Sequence, residues 1–306
     1  MITSPLSPAH LAASVMAVPP LARLADYALA EVENQRIVRH LEDGGVRLLL
    51  YGGNANLYHV PLSEYEALLA MLVRIAGPDT LVIPSAGPTH GLLHDQARIL
   101  RRFSFPTAMV LPQQGITTSR GVADGVRRFV GAAGIPALLY VKHDGYIDPD
   151  DVGALDREGL LSGIKYATVR GDTAADPYLD RLVDRVPAEK VISGIGEQPA
   201  VIHVRQFGLG GFTSGCVCVA PRLSQRMRAA LHRGDEAEAE RIRQVFKPLE
   251  DLRNKINPIR VLHRAVEGAG IAVTGPLLPL LTNVEPEHEP AIDAAAKALL
   301  AADRHA

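Results

Sequence analysis

The 306-residue sequence predicts an α/β fold, a (β/α)8 barrel with a C-terminal helical appendage. Three observations favour it. Eight short apolar runs recur up to residue 219, helix start signals lie between them, and the chain beyond residue 221 has a helical pattern throughout. Runs of about five residues that are apolar on both faces are typical of parallel strands covered by helices.

The spacing of the runs favours a closed barrel over a large doubly wound sheet. Successive runs begin 21 to 34 residues apart, and units of this length are typical of a TIM barrel. We predict strands at residues 14–18, 46–51, 80–84, 107–111, 137–141, 161–165, 190–193 and 211–219.

Helix signals fill the intervening segments. They are a capping box at Ser63 and Glu66, Asp-Pro pairs at 148–149 and 176–177, and an amphipathic segment from Asp26 to Gly44.

The change of pattern after the eighth run predicts two parts. Residues 1–235 would form the barrel, and residues 236–306 a three-helix region. Its helices are predicted at 235–255, from Asn257-Pro258 to about 268, and at 287–302.

Composition limits the classes of partner and compartment. The formal net charge of −2 gives no reason to expect a nucleic acid or a membrane surface as partner. The chain lacks both a secretory signal and an apolar run of the ~20 residues that a membrane span needs, so we expect a cytoplasmic protein. Cys216 and Cys218 are interpreted as apolar residues of a strand, and neither a metal nor a cofactor is expected.

Lys165 is the first candidate catalytic residue, because it ends the run 161–165 and lysines are few, six among 32 basic residues. Side chains at the C-terminal ends of barrel strands face the active site. Apolar surroundings lower a lysine pKa, and the neutral amine can then attack a carbonyl carbon and form a Schiff base. A strand-end lysine that reaches solvent is the alternative interpretation.

Tyr140 is the second candidate, because it lies at the end of the preceding run. If the two strands are neighbours, its hydroxyl comes within reach of the Lys165 amine and can relay a proton. An aromatic residue at the rim without a catalytic role is the alternative.

The loop Gly52-Gly53-Asn54-Ala55-Asn56 is a candidate binding segment. Two glycines allow the backbone to approach a ligand and to present N–H groups to a carboxylate. Ordinary turn chemistry explains the same residues equally well.

Two rival patterns are weaker. Gly194-Ile195-Gly196 follows a strand, as in a dinucleotide-binding motif, but Pro199 stands where that motif has its third glycine. A divalent-metal aldolase stays a minor alternative, because His90 and His94 are the only closely spaced histidine pair.

In the order of these features the chain resembles the dihydrodipicolinate synthase and N-acetylneuraminate lyase family. The resemblance covers almost the whole chain, and the segments that carry it are Tyr140, Gly163-Ile164-Lys165, Gly211-Phe212-Thr213-Ser214, Gly234-Asp235 and Asn257-Pro258-Ile259. It implies a barrel with C-terminal helices and a lysine Schiff base with pyruvate or a related 2-oxo acid. It also implies Lys165 as the Schiff-base residue, Tyr140 as the proton relay, and Thr213 close to the substrate.

The sequence departs from the family pattern in three places. The family loop reads Gly-Thr-Thr-Gly-Glu, so here the backbone of Gly53 and Asn54 can hold a carboxylate but the threonine hydroxyls of the relay are missing. The family's Pro-Tyr-Tyr becomes Pro-Gln-Gln at 112–114. Gly145 replaces the arginine that binds the second substrate in dihydrodipicolinate synthase. Lysine biosynthesis is therefore not expected, and the polar residues Lys142, His143, Asn56 and His59 are candidates for a different substrate end.

These observations together predict a lyase or aldolase that acts on pyruvate or a pyruvate-derived sugar acid through Lys165. The expected site comprises Lys165, Tyr140, Gly53, Asn54, Asn56, His143 and Thr213. A relative that binds a ligand without turnover is the alternative, because relay residues are missing. The resemblance further implies a homodimer or homotetramer.

Overall fold

The computed structural model describes all residues, 1–306, and shows parallel strands surrounded by helices. Every neighbouring pair of strands is parallel. The strands β1 to β9 are Met16–Ala17, Leu48–Leu50, Leu81–Ile83, Ser85–Ala86, Ala108–Val110, Ala137–Val141, Leu161–Tyr166, Val191–Ser193 and Gly211–Ser214. The predicted (β/α)8 barrel is confirmed.

The barrel closes through its third strand. The strand order is β3-β2-β1-β9-β8-β7-β6-β5-β4, and the two ends of this order, β3 and β4, are separated along the chain by Pro84 alone. Proline has no N–H to give to a ladder, so it divides one strand into two short segments. This accounts for nine strands where we predicted eight.

Twelve helices cover the barrel and form the C-terminal region. The helices α1 to α12 are Pro8–Ala13, Glu31–Asp43, Leu62–Ile75, His90–Leu100, Ser119–Ala133, Pro149–Arg157, Pro177–Val183, Glu197–Phe207, Pro221–His232, Glu236–Lys255, Pro258–Gly268 and Glu289–Asp303. Short 3-10 turns lie at Leu57–His59, Ala188–Lys190, Cys216–Cys218 and Pro286–His288.

Three of the predicted helix caps occur in the structure. Asp148 accepts from the backbone of Asp150, Asp176 from that of Leu179, and Asn257 from that of Ile259. Each fixes the start of a helix whose first residue is a proline.

Other local predictions were wrong. α3 begins at Leu62, so Ser63 and Glu66 both lie within the helix and make no cap. α2 begins at Glu31, because the segment after Asp26 forms a turn in which the Asp26 carboxylate accepts from the Ala28 N–H. The strand predicted at 211–219 ends at Ser214.

Cys216 and Cys218 are therefore not strand residues. They lie fully buried in a 3-10 turn as free thiols. Because every residue from 211 to 220 is buried, the apolar pattern continues although the backbone changes.

The three C-terminal helices pack against the barrel. α10 contacts α8 and α9. α12 contacts α9, α10 and α11. Apolar residues such as Phe246, Leu262 and Ile292 belong to the same hydrophobic core as the barrel strands. The division at residue 235 stays a prediction. None of the helices is both long enough and apolar enough to span a bilayer.

Candidate active site

Lys165 and Tyr140 occupy paired positions on two adjacent strands. In the register of β6 and β7 their Cα atoms are direct partners. Both side chains reach the cavity at the C-terminal end of the barrel. The Lys165 Nζ lies over the face of the Tyr140 ring, and no hydrogen bond joins the amine to the tyrosine hydroxyl.

The amine of Lys165 is in a setting that favours its neutral form. The residue is only 5% exposed. Burial, followed by the positive charges of Lys142 and Arg253, lowers the pKa of Lys165 to about 7. A substantial share of the amine is thus unprotonated, and nucleophilic, at neutral pH.

The cavity around Lys165 has a volume of about 210 Å³. Residues from strand ends, loops and the C-terminal helices line it: Val18, Gly53, Asn54, Tyr58, Tyr140, Lys142, Lys165, Ala167, Val169, Gly194, Ile195, Gly196, Thr213, Gly215, Arg253, Asn254, Pro258 and Ile259. Lys142 lies at the rim, where partial burial lowers the pKa of its amine.

The glycine-asparagine loop presents unpaired backbone donors beside this cavity. The N–H groups of Gly53 and Asn54 donate to no acceptor in the protein. The Asn54 side chain donates to the Val18 carbonyl over 2.9 Å, and the Asn54 carbonyl oxygen lies 2.9 Å from His263 Nε2. Burial lowers the pKa of His263 to about 4, so its ring is neutral and donates from Nε2. The loop is thereby held with donors that can receive a carboxylate.

Five of the seven predicted site residues line the cavity: Lys165, Tyr140, Gly53, Asn54 and Thr213. Asn56 does not, because its left-handed backbone directs its side chain to the Leu278 carbonyl. His143 does not either, because its ring packs edge-on against Tyr146. We therefore leave Asn56 and His143 out of the site, and likewise His59, which does not line the cavity.

The Gly194-Ile195-Gly196 segment has a structural explanation. A Cβ atom on Gly194 would lie 3.1 Å from Lys165 Cγ, so glycine gives the lysine room. Gly196 has a φ of +96° and lies where a Cβ would collide with the Glu250 carboxylate. That carboxylate accepts the N–H groups of Glu197 and Gln198 at 2.9 and 3.0 Å. The helix N-terminus that a nucleotide phosphate would use holds a side chain of α10 instead.

Sequence reasoning missed Arg253, Tyr58 and Gly215. Arg253 comes from the last turn of α10 and is 8% exposed. On an amphipathic helix, a charged residue is expected to face solvent. No pattern indicated that this face of the helix turns toward the mouth of the barrel.

The fold and the site define a parallel barrel with a buried lysine, of pKa about 7, near the C-terminal end of β7. A model of the dihydrodipicolinate synthetase family matches residues 24–299. The chain belongs to this family. The membership supports an enzyme of the lyase or synthase kind.

Two curated proteins resemble the chain over most of its length. A probable 5-dehydro-4-deoxyglucarate dehydratase of Streptomyces coelicolor is 22% identical over 254 residues, which are 80% of this chain and 78% of that protein. A 4-hydroxy-tetrahydrodipicolinate synthase of Pseudomonas savastanoi pv. phaseolicola is 26% identical over 257 residues, 82% of this chain and 86% of that protein.

Solved structures share the fold. A dihydrodipicolinate synthase from Bacillus clausii superposes with a TM-score of 0.83 at 23% identity, covering 97% of this chain and 99% of that one. The sialic acid aldolase of Ruminococcus gnavus superposes with a TM-score of 0.82 at 14% identity, covering 95% and 98%. At these identities the likeness establishes the architecture alone.

Proposed function

We propose that the protein is a lyase or aldolase that acts on a 2-oxo acid through a Schiff base on Lys165. The observation that carries the proposal is the buried Lys165 amine, which faces a cavity and has a pKa of about 7. A lysine at this pKa is both a nucleophile and, once it forms an imine, a site that readily takes up a proton.

The chemistry follows from the position of the amine. The Lys165 nitrogen attacks the C2 carbonyl carbon of the substrate and forms a carbinolamine, which loses its hydroxyl as water to give a protonated imine. The imine accepts the electron pair released at C3 when a proton leaves or a carbon-carbon bond breaks. The enamine formed in this way then takes up a proton or a carbonyl carbon at C3, or expels a hydroxyl group from C4 as water. Hydrolysis of the resulting imine returns the amine and the product ketone. Condensation, cleavage and dehydration all use this sequence.

The Gly53 and Asn54 N–H groups are proposed to hold the C1 carboxylate of the substrate. Neither N–H donates to an acceptor in the protein, and both residues line the cavity. Binding there fixes the carbonyl carbon relative to the amine, and such positioning lowers the barrier by removing rotational freedom. Thr213, buried on β9, is proposed to form the opposite wall.

Tyr140 is proposed to move the proton between the carbinolamine and the cavity. Burial raises the pKa of Tyr140, so the phenol stays protonated and can donate. Its hydroxyl takes up the task that the threonine hydroxyls perform in the family pattern and that Gly53 and Asn54 cannot. The amine must leave the ring face to meet this hydroxyl.

The second substrate is proposed to differ from that of dihydrodipicolinate synthase. Gly145 stands at the position where that enzyme has its substrate-binding arginine, and it has no side chain to replace it. Incubation with pyruvate and aspartate semialdehyde should therefore give no cyclic product.

Trapping with borohydride tests the Schiff base. Pyruvate plus borohydride should leave a stable adduct on Lys165, found by mass spectrometry of peptides. Lys165→Ala should abolish the adduct, and Lys142→Ala, which removes the other cavity lysine, should retain it. Absence of an adduct with pyruvate and with longer 2-oxo acids would refute the proposal, as would an adduct on Lys142. An adduct without turnover of any substrate would instead support a binding-only relative.

The protein is also proposed to form a homodimer or homotetramer in the cytoplasm. An open groove of about 580 Å³ lies between α4 and α5, beside Ile116, which is 89% exposed. The family resemblance implies this association, and the groove with its exposed Ile116 is the surface at which we test it. Sedimentation should give at least twice the chain mass, and Ile116→Asp should shift the equilibrium toward the monomer.

A further inference from the structure

The cavity around Lys165 carries positive charge that no lining residue balances. Lys142, Lys165 and Arg253 all contribute to its wall, whereas none of its eighteen lining residues is an aspartate or a glutamate. A 2-oxo acid with one carboxylate would use only the backbone donors of the glycine-asparagine loop. The excess of cations therefore indicates a ligand with more than one negative group.

Arg253 is a buried cation of the cavity wall that has few hydrogen-bond partners in the protein. Its Nε donates to the Pro258 carbonyl over 3.3 Å, and its Nη1 lies 3.9 Å from the Cys216 sulfur. Its Nη2 donates to nothing in the protein, and Arg253 takes part in none of the ion pairs of the chain. A guanidinium that is more than nine-tenths buried without an anion is costly, unless a ligand supplies one.

The nearest acidic side chains have other partners. Glu250, one turn earlier on α10, directs both carboxylate oxygens to the start of α8. Glu197 accepts from the hydroxyls of Ser214 and Ser224 at 2.8 and 2.7 Å. Neither carboxyl group forms an ion pair with Arg253. Burial opposes the charge of the guanidinium, but the nearby Cys216, Glu250 and Glu197 outweigh it and raise the pKa of Arg253, so the cation persists while its Nη2 has no direct anionic partner.

The free nitrogen of Arg253 points to the same part of the cavity as the loop. An atom at the Cβ position of Gly215 would lie 2.7 Å from Arg253 Nη2 and 2.9 Å from Asn54 Nδ2. Glycine at position 215 therefore allows these two N–H donor groups to come close to each other beside the backbone, in a wall of the cavity that all three residues line. A planar, two-oxygen anion fits such donors well, because guanidinium and carboxylate match in geometry.

We propose that Arg253 binds a second anionic group of the substrate, which is therefore a 2-oxo acid with two negatively charged groups, such as a 2-oxo dicarboxylate. This inference rests on the proposed Schiff base on Lys165 and adds the substrate class. Arg253 acts as a binding residue on α10, one of the C-terminal helices. This helix is distant in sequence from Gly145, the position at which the arginine of dihydrodipicolinate synthase is missing.

A comparison of two acids of equal length, each trapped separately on Lys165, tests the assignment. The probes are 2-oxoglutarate, which has a second carboxylate, and 2-oxopentanoate, which has a methyl group in its place. With the wild-type protein, half-maximal borohydride adduct on Lys165 should need roughly 10-fold less 2-oxoglutarate than 2-oxopentanoate, as expected for a charge-assisted hydrogen bond. Arg253→Gln should lose this preference while still trapping 2-oxopentanoate.

Lys255→Gln is the matched control. It removes an exposed cation two residues away on the same helix, outside the cavity, and should keep the full preference. Retained trapping of 2-oxopentanoate by Arg253→Gln shows that the variant is folded. If Arg253→Gln does not fold, Arg253→Lys, which keeps one positive charge but loses the planar donor pair, should reduce the preference in part.

Three results would overturn the assignment: no preference in the wild type, an unchanged preference in Arg253→Gln, or an equal loss for both acids. The last result would place Arg253 on the carboxylate that both probes share. If no acid is trapped at all, the Schiff base fails. Glutarate and pentanoate, which have no ketone, then decide on Arg253: glutarate alone should raise the melting temperature, and only when Arg253 is present.

Discussion

The Lys165 Nζ lies 4.3 Å from the centroid of the Tyr140 ring. A cation over an aromatic face is attracted to it, so the ring favours the protonated amine, whereas burial and two neighbouring cations favour the neutral one. The ring holds the amine near the end of the strand, and the hydroxyl lies at the ring's edge. Tyr140 thus has two separable parts, an aromatic platform and an acid.

Tyr140→Phe separates these parts. It keeps the ring beneath the amine and removes the hydroxyl, so the yield of trapped adduct at equilibrium should be nearly unchanged. Turnover should fall by about 10²- to 10⁴-fold, the usual contribution of a general acid or base. Stopped-flow or coupled assays give the rate, and Tyr178→Phe, which lies outside the cavity, is the control. A loss of adduct that persists at equilibrium would contradict the proposed relay, because it would show that the hydroxyl stabilises the imine and does not only speed its formation.

The rate of imine formation should depend on pH through Lys165. Since the attacking species is the free amine, the rate should rise with pH and level off above about 7, the pKa of Lys165. Lys142→Met removes a neighbouring positive charge and so should raise the pKa of Lys165, which moves the rising part of the pH–rate profile to higher pH. Lys255→Met, an exposed change outside the cavity, should leave the profile in place. A shift to lower pH in Lys142→Met would contradict the electrostatic explanation.

Acid should destabilise the protein partly through His263. The pKa of this buried ring is lowered from its usual 6.5 to about 4, so below pH 6.5 the unfolded chain binds a proton that the folded chain does not. Stability should therefore fall as the pH decreases from 6.5 to 4, by up to about 3 kcal/mol from this residue. His263→Gln retains a donor for the Asn54 carbonyl and cannot be protonated.

Urea unfolding at several pH values checks this prediction. His263→Gln should show a shallower loss of unfolding free energy between pH 6.5 and 4 than the wild type. His305→Gln, at the exposed C-terminus, should follow the wild type. Equal slopes in all three proteins would assign the acid sensitivity to other groups.

Gly196→Ala should cost more stability than an ordinary glycine substitution. The backbone at Gly196 has a φ of +96°, and a methyl group would collide with the Glu250 carboxylate. Gly234, with a φ of +72° and no atom within 4 Å of the Cβ position, isolates the backbone cost. We expect Gly234→Ala to lower the unfolding free energy by about 1 kcal/mol and Gly196→Ala by about 3 kcal/mol or more. Similar values for both variants would mean that the Glu250 side chain moves away from the added methyl group without lowering the unfolding free energy.

One physical reason explains why the sequence could predict both the barrel and the pair Lys165 and Tyr140 at its C-terminal end. Parallel strands bring the residues at their C-terminal ends to one rim, so Lys165 and Tyr140 had to be neighbours once their strands were identified. Gly53, Asn54 and Thr213 follow the same rule. Their distance along the chain is large, but the barrel determines their distance in space.

The rest depends on how the C-terminal helices are oriented, which local pattern does not encode. Arg253 belongs to an amphipathic helix of alternating charges, and only packing against α8 and α9 determines that position 253 faces inward. Asn56 was misassigned because its left-handed backbone turns the side chain away from the rim. The Cys216–Cys218 turn was misassigned because burial on all sides gives strands and turns the same apolar composition.

Glu250 and Arg253 are three residues apart on α10, so a single turn of helix serves both the barrel and the ligand cavity. Given the role proposed for Arg253, exchange of this helix between relatives is expected to change the anion that the cavity accepts and also to remove the carboxylate that caps α8. A graft that keeps Glu250 must therefore also keep the glycine at position 196, where a side chain would collide with this carboxylate. In this chain the residue proposed to bind the anion and the residue that caps α8 lie on the same helical turn, so neither can be exchanged by a helix graft without the other.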